Sequence, residues 1–178
     1  MKKPKGTYIR LTGFEQLKAG LKTGMVAKVG ILGADAAEVH KNTEAATLST
    51  GRKVRKFIAG STITNAEIGV IAEFGSISKN IPARSFLRYP LETHATELVE
   101  AVAKSKTAQA ALEKGDIKTV YKILGFEAEK IVNKAFTTSG FGQWAANAPA
   151  TIAKKGSSMP NIDTSQLRRS ISSEVAKI

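Results

Sequence analysis

The stretch Ile68–Glu92, IGVIAEFGSISKNIPARSFLRYPLE, decides how this chain is organised. Ile68, Ile71 and Ala72 fall on one face of a helix that Gly75 ends, because glycine enters left-handed backbone without a Cβ clash. Pro82 then fixes φ and removes an amide donor, so an extended segment precedes Arg84, Phe86, Leu87 and Arg88. The run reads as a joint. Its alternation of guanidinium and large apolar side chains suits docking onto another protein, and nothing in it looks like an active site.

Upstream, Thr64 or Asn65 can cap this helix, with Glu67 in the first turn where a carboxylate suits the dipole. Met25–Leu32, MVAKVGIL, alternates partly and is rich in β-branched residues, which predicts a strand with one buried face. Phe14, Leu17 and Leu21 recur at helical spacing and predict a short first helix ended by Gly20 and Gly24. Residues 34–64 keep no sustained period and contain the basic segment GRKVRKF. So long a stretch inside a domain is functional or mobile. It is expected to form a projecting loop or β-hairpin, with Val54, Phe57 and Ile58 available to order against a partner, or else a disordered surface insertion.

Downstream, Leu91, Ala95, Leu98, Val99 and Val102 form one stripe and predict a single amphipathic helix over Leu91–Lys104. Asp116 opens the longest regular segment, in which Ile117, Val120, Tyr121, Leu124, Ala128, Ile131, Val132 and Ala135 keep the rhythm of a central packing helix to Phe136. Gly125 inside it costs about 1 kcal/mol relative to alanine and allows a neighbour to approach closely. From Thr137 the texture becomes short turns punctuated by glycine, proline and the single Trp144. Pro149 suits the start of a helical turn, Asp163 or Thr164 can cap another over Ser165–Arg168, and Ile171–Val175 can pair as a last strand. Phe136, Phe141 and Trp144 either anchor an interface or close a small core against the long helix.

These readings predict one α+β domain over 1–178. A small antiparallel sheet is packed by two or three helices, with a loop or hairpin at 34–64 and a carboxyl-terminal arm at 137–178.

Composition narrows the chemistry. The 42% apolar and 24% charged content is that of a soluble globular chain, with no apolar run near the ~20 residues of a membrane span. MKKPKGTYIR has the positive start of a signal peptide but no apolar segment behind it, so secretion is not expected. The absence of cysteine removes disulfides, thiol nucleophiles and the usual zinc frameworks. His40 and His94 lack partners at metal-ligand spacing. Glu67 and Glu73 point to different sides of a helix, Ser78, Ser165 and Ser170 lack a nucleophile elbow, and GILGADAAE lacks the third glycine and the lysine of a nucleotide loop. Neither an enzyme nor a cofactor is expected. A net charge of +12 calls for an acidic neighbour, phosphates or solvent. Arg52, Lys53, Arg55 and Lys56 form one of three basic clusters and can face genomic DNA or an acidic partner; a basic DNA-binding protein that acts alone is the alternative from another class, although no helix concentrates lysine and arginine as a DNA reader does.

EFG, a polar loop and IPARSFLR resemble the EFG and IPARPFLR signature of the bacteriophage tail-component and virion-morphogenesis proteins of long-tailed phages. A second stretch, Asn147–Ser172, NAPATIAKKGSSMPNIDTSQLRRSIS, is similar to that family's closing motif. Ser85 stands where the family has proline. Ser165 stands where it has glycine, which argues against a backbone of positive φ there. The resemblance implies a virion structural protein at the neck: a ring component of the tail-completion or head-to-tail connector kind, with a tail terminator capping the tail tube as the neighbouring reading. It implies a hexameric or dodecameric ring of this chain, adjacent connector and tail-tube or tail-terminator proteins as partners, no membrane, and residence in the host cytoplasm during assembly. Arg84, Phe86, Leu87 and Arg88 would supply one contact patch, and Asp163, Gln166, Leu167 and Arg168 another.

Overall fold

A computed structural model describes residues 24–58, 62–155, 158–161 and 165–177. The helix expected around Phe14, Leu17 and Leu21 lies outside them, as does the basic cluster at the amino terminus. The architecture is α+β. Strand β1 (Met25–Ile31) pairs antiparallel with β4 (Ile171–Lys177), from Met25 opposite Lys177 to Ile31 opposite Ile171. Part of the tail that reads as an arm is therefore the second strand of the sheet.

Helix α6 (Ile117–Thr137) lies across both strands. Its first turn is closed by Asp116, whose carboxylate accepts from the Thr119 amide at 3.1 Å and the Thr119 hydroxyl at 2.6 Å. Gly125 has the packing role its position suggests. A Cβ added there would stand 2.7 Å from Ser173 Oγ and 2.8 Å from Ser173 Cβ, so the helix can touch β4 only without a side chain.

The core gathers around the carboxyl-terminal half of α6. Val132, Ala135 and Phe136 meet Ala72, Phe86, Trp144, Leu167 and Ile171, with Val29, Ile31, Ile68 and Leu91 packed at the margin. Phe136 stands between Phe86, 5.3 Å away by ring centroids, and Trp144, edge-on at 5.6 Å. The aromatic set near the tryptophan is thus core.

The stripe from Leu91 is two helices rather than one, α3 (Arg88–Thr93) and α4 (Ala95–Lys104). The break falls at His94, whose ring lies 4.0 Å from that of Phe141 and whose Nδ1 is 2.9 Å from Glu97 Oε1. Tertiary contact with the tail overrides the local period. After α4, Ser105 caps α5 (Lys106–Glu113), which also packs on α6.

Residues 34–64 form a hairpin, β2 (Asn42–Thr47) with β3 (Lys53–Ile58), reached through the short helix α1 (Gly33–Ala37). Its base is latched to the start of α2 (Asn65–Phe74). The His40 amide donates to Ile63 O at 2.7 Å and the Asn65 amide to Glu38 O at 2.9 Å. The fully buried Asn65 side chain reaches His40 Nδ1 and Asp35 O, each at 3.0 Å.

Candidate functional site

The joint is built on α2. Thr64 and Glu67 form a reciprocal capping box at its start, and the Thr64 amide and then its hydroxyl, both donating to the exposed Glu67 carboxylate, hold that carboxyl below its ordinary pKa. At its end Gly75 has φ 75° with an extended ψ of −172°, so the cap is not the left-handed one expected. Glycine is needed twice over, because a Cβ would also lie 2.6 Å from Ile81 O and 2.7 Å from Ala83 N. The loop closes through paired Ser76 and Ile81 amides and carbonyls, and the arm returns past the helix with the Arg84 amide on Ala72 O at 2.7 Å.

Buried Glu73 binds that arm. Its carboxylate accepts from the Ser85 hydroxyl at 2.6 Å and from the amides of Phe86, Leu87 and Arg88 at 2.8, 3.0 and 3.1 Å. Those amides lead into α3 and have no partner inside it, so a carboxylate from α2 caps a second helix. Ser85 Oγ also accepts from the Tyr89 amide at 2.9 Å. A proline in its place could do neither. Sequence reading weighed Glu73 only as an acid catalyst and missed this role; the available signal was a serine four residues before Tyr89, facing a helix that ends in Glu-Phe-Gly.

Arg84 joins the arm to the tail. Its Nε donates to Ala145 O at 2.8 Å and Nη2 to Ala146 O at 3.0 Å, while Asn161 Nδ2 donates back to Arg84 O at 3.2 Å. Trp144 Nε1 donates to Ser85 O at 3.0 Å, and Asn147 Nδ2 reaches Ser158 O and Met159 O. The two separated motifs are therefore bound to each other. Between them lies an open groove of about 830 Å³, walled by Phe74, Ile77, Pro82, Arg84, Ala148 and Thr151, the last belonging to α7 (Pro149–Lys155). Partial burial lowers the Arg84 pKa from its ordinary value. A smaller depression of about 400 Å³ lies across Phe74, against Val70, Leu87 and Leu91.

The expected contact residues are mostly used inside the chain. Phe86 and Leu167 are buried in the core, which corrects their reading as contact residues: neither side chain is available to a partner. Leu87 is half-buried against the same core. Gln166, at the start of α8 (Gln166–Arg169), donates to Val39 O at 3.0 Å and accepts from the Lys41 amide at 2.8 Å, tying the tail to the hairpin base. Arg168 Nε donates to Asn133 Oδ1 on α6 at 3.1 Å. Asp163 lies outside the described residues. Arg88 remains exposed, its guanidinium 5.9 Å from the centroid of the Phe74 ring. Ser165 has φ 61° and ψ 10°, so serine takes the backbone its identity argued against.

On α2 and the loop that follows it, the exposed apolar side chains are instead Val70, Phe74 and the fully exposed Ile77. Val70 and Phe74 are four residues apart and off the Ile68, Ile71 and Ala72 stripe, a signal the sequence did contain. At the hairpin, Arg52 and Lys56 are exposed, and the side chains of Lys53 and Arg55 lie outside the described residues. The register sets Lys53 opposite Thr47 and Lys56 opposite Glu44, and β2 lies against α7.

Among the described residues no group of three potential ligands could hold a metal ion, and no helix is long and apolar enough to cross a membrane. Comparison with family models, curated proteins and solved structures finds no match to this chain.

Proposed function

We propose that this protein is a structural component of the phage virion neck, a tail-completion or head-to-tail connector subunit that closes into a ring with copies of itself. The observation that carries the reading is the convergence of the two motif-bearing stretches on one groove, held by Arg84, Trp144 and Asn161. Stretches chosen for separate surface loops would have no reason to meet. Their meeting suits a subunit whose working part is a rigid face.

On this reading the mechanism is geometric. Identical subunits make head-to-tail contacts that close when the rotation between them closes, and exposed side chains then engage the adjoining ring. The exposed Val70, Phe74, Ile77 and Arg88 take the contact role first given to Phe86. The basic hairpin faces an acidic neighbour or passing DNA.

The test is deletion of the gene from the phage that carries it, read by electron microscopy of lysates with complementation from a plasmid. Neck function predicts DNA-filled heads and separate tails of normal length. Tails of uncontrolled length would instead indicate a terminator. Infectious particles at wild-type yield would overturn the virion reading.

A further inference from the structure

The groove carries a positive charge, Arg84, with no ion-pair partner among the described residues. Both polar contacts of the Arg84 guanidinium are to carbonyl oxygens, and among the described residues no carboxylate lies within ion-pair distance of it. A guanidinium stays protonated at any physiological pH, so a carboxylate arriving from outside would meet a full positive charge that is already partly desolvated. Among the described residues of the groove wall Arg84 is also the only ionised side chain.

Two further features define the shape of what would bind. Next to Arg84 in the extended arm, Ala83 is exposed, and its carbonyl has no hydrogen-bond partner among the described residues. A backbone amide of an extended peptide can donate to such a carbonyl. At the mouth, Phe74 and Ile77 are exposed apolar side chains. They suit apolar neighbours of an acidic residue, and a chain of net charge +12 favours an acidic partner over a basic one.

We propose that the groove between Pro82–Arg84 and α7 docks an extended segment of another protein, with one carboxylate on Arg84 and apolar residues beside it on Phe74 and Ile77. This does not depend on the virion reading. It would hold for any assembly this chain enters, and it is tested without one.

The probe is the blocked peptide Ala-Leu-Asp-Leu-Ala, compared with its Asn counterpart. Trp144 is the only tryptophan, and its indole nitrogen is held on Ser85 O beside Arg84, so its fluorescence reports the site. The expected result is saturable binding of the Asp peptide, roughly tenfold or more weaker for the Asn peptide, as loss of one charge-assisted pair implies. Arg84→Gln should abolish the difference. Because Arg84 also clamps Ala145 and Ala146, Ala148→Phe serves as a second variant; it fills the groove from an exposed position and should weaken binding while leaving the thermal unfolding midpoint unchanged. Arg52→Ser with Lys56→Ser should leave binding intact. Equal affinity for both peptides, no saturation at millimolar peptide, or loss of binding in the hairpin variant but not in Ala148→Phe would each overturn the proposal. So would self-association of the protein alone that Ala148→Phe dissolves, because the occupant would then be a second copy.

Discussion

Replacing Glu73 by alanine tests whether one buried carboxylate holds the joint together. The substitution leaves four donors without their acceptor: the Ser85 hydroxyl and the amides of Phe86, Leu87 and Arg88. The Phe86 amide belongs to a fully buried residue that water does not reach, and its stranding costs about 2 kcal/mol. The other three sit at partly exposed positions, and rehydration reduces each loss to about 0.5–1 kcal/mol. The sum is about 4 kcal/mol, a large fraction of the roughly 5–15 kcal/mol that holds a domain folded. Urea unfolding followed by far-ultraviolet circular dichroism should show the midpoint fall with the slope unchanged. Glu73→Gln, which keeps the shape and one acceptor oxygen, should recover about half. Thr64→Ala on the same helix removes an ordinary cap and serves as the control, at about 1 kcal/mol. If Glu73→Ala costs no more than Thr64→Ala, the carboxylate is incidental and the arm is held by packing alone.

Phe86→Ala should lose about 3–5 kcal/mol by the same denaturation assay, because the ring is enclosed against Phe136; a folded subunit of unchanged stability would return Phe86 to the surface. Gly125→Ala gains about 1 kcal/mol of helix propensity but drives a methyl into Ser173, and overpacking of about 1–3 kcal/mol should leave it net destabilised, with a raised melting temperature as the contrary result. Ser165→Gly relieves a left-handed backbone and removes no cap bond, so thermal unfolding should shift upward by about 0.5–1 kcal/mol. The Asp116 pKa is lowered from 3.8, chiefly by the Thr119 hydroxyl and then its amide, so its contribution is present above that value and lost as pH falls through the lower folded pKa. The stability gap between wild type and Asp116→Asn should accordingly be visible near neutrality and close in acid; a gap independent of pH would refute the charge argument.

Local signals were legible where one element decides its own shape. The Thr64 cap, the helix from Asp116, the strand at Met25 and proline at the start of α7 all depend on neighbours a few residues away. What the sequence hid depends on partners far along the chain. Phe86 looks like a docking residue because it lies between arginines in a proline-marked arm, and only the arrival of Phe136 and Trp144 makes it core. Leu91–Lys104 has the stripe of one helix, yet contact with Phe141 bends it at His94. Ser165 keeps a glycine-like backbone because its surroundings fix it, against its own preference. The groove itself belongs to no single segment, so no periodicity could announce it.

The pairing of β1 with β4 has a consequence for the order in which the protein comes into being. Ile31 meets Ile171, so nearly the whole helical part of the chain is synthesised while β1 has no partner strand. An unpaired strand with exposed amides invites pairing with other chains, and closing a loop of that length slows the correct encounter. The helices and the β2–β3 hairpin can form as they emerge, but β1 can pair only after β4 has been made. A chain without β4 should therefore stay helical, leave β1 unpaired and be prone to aggregate, which makes the synthesis of β4 the step that protects β1.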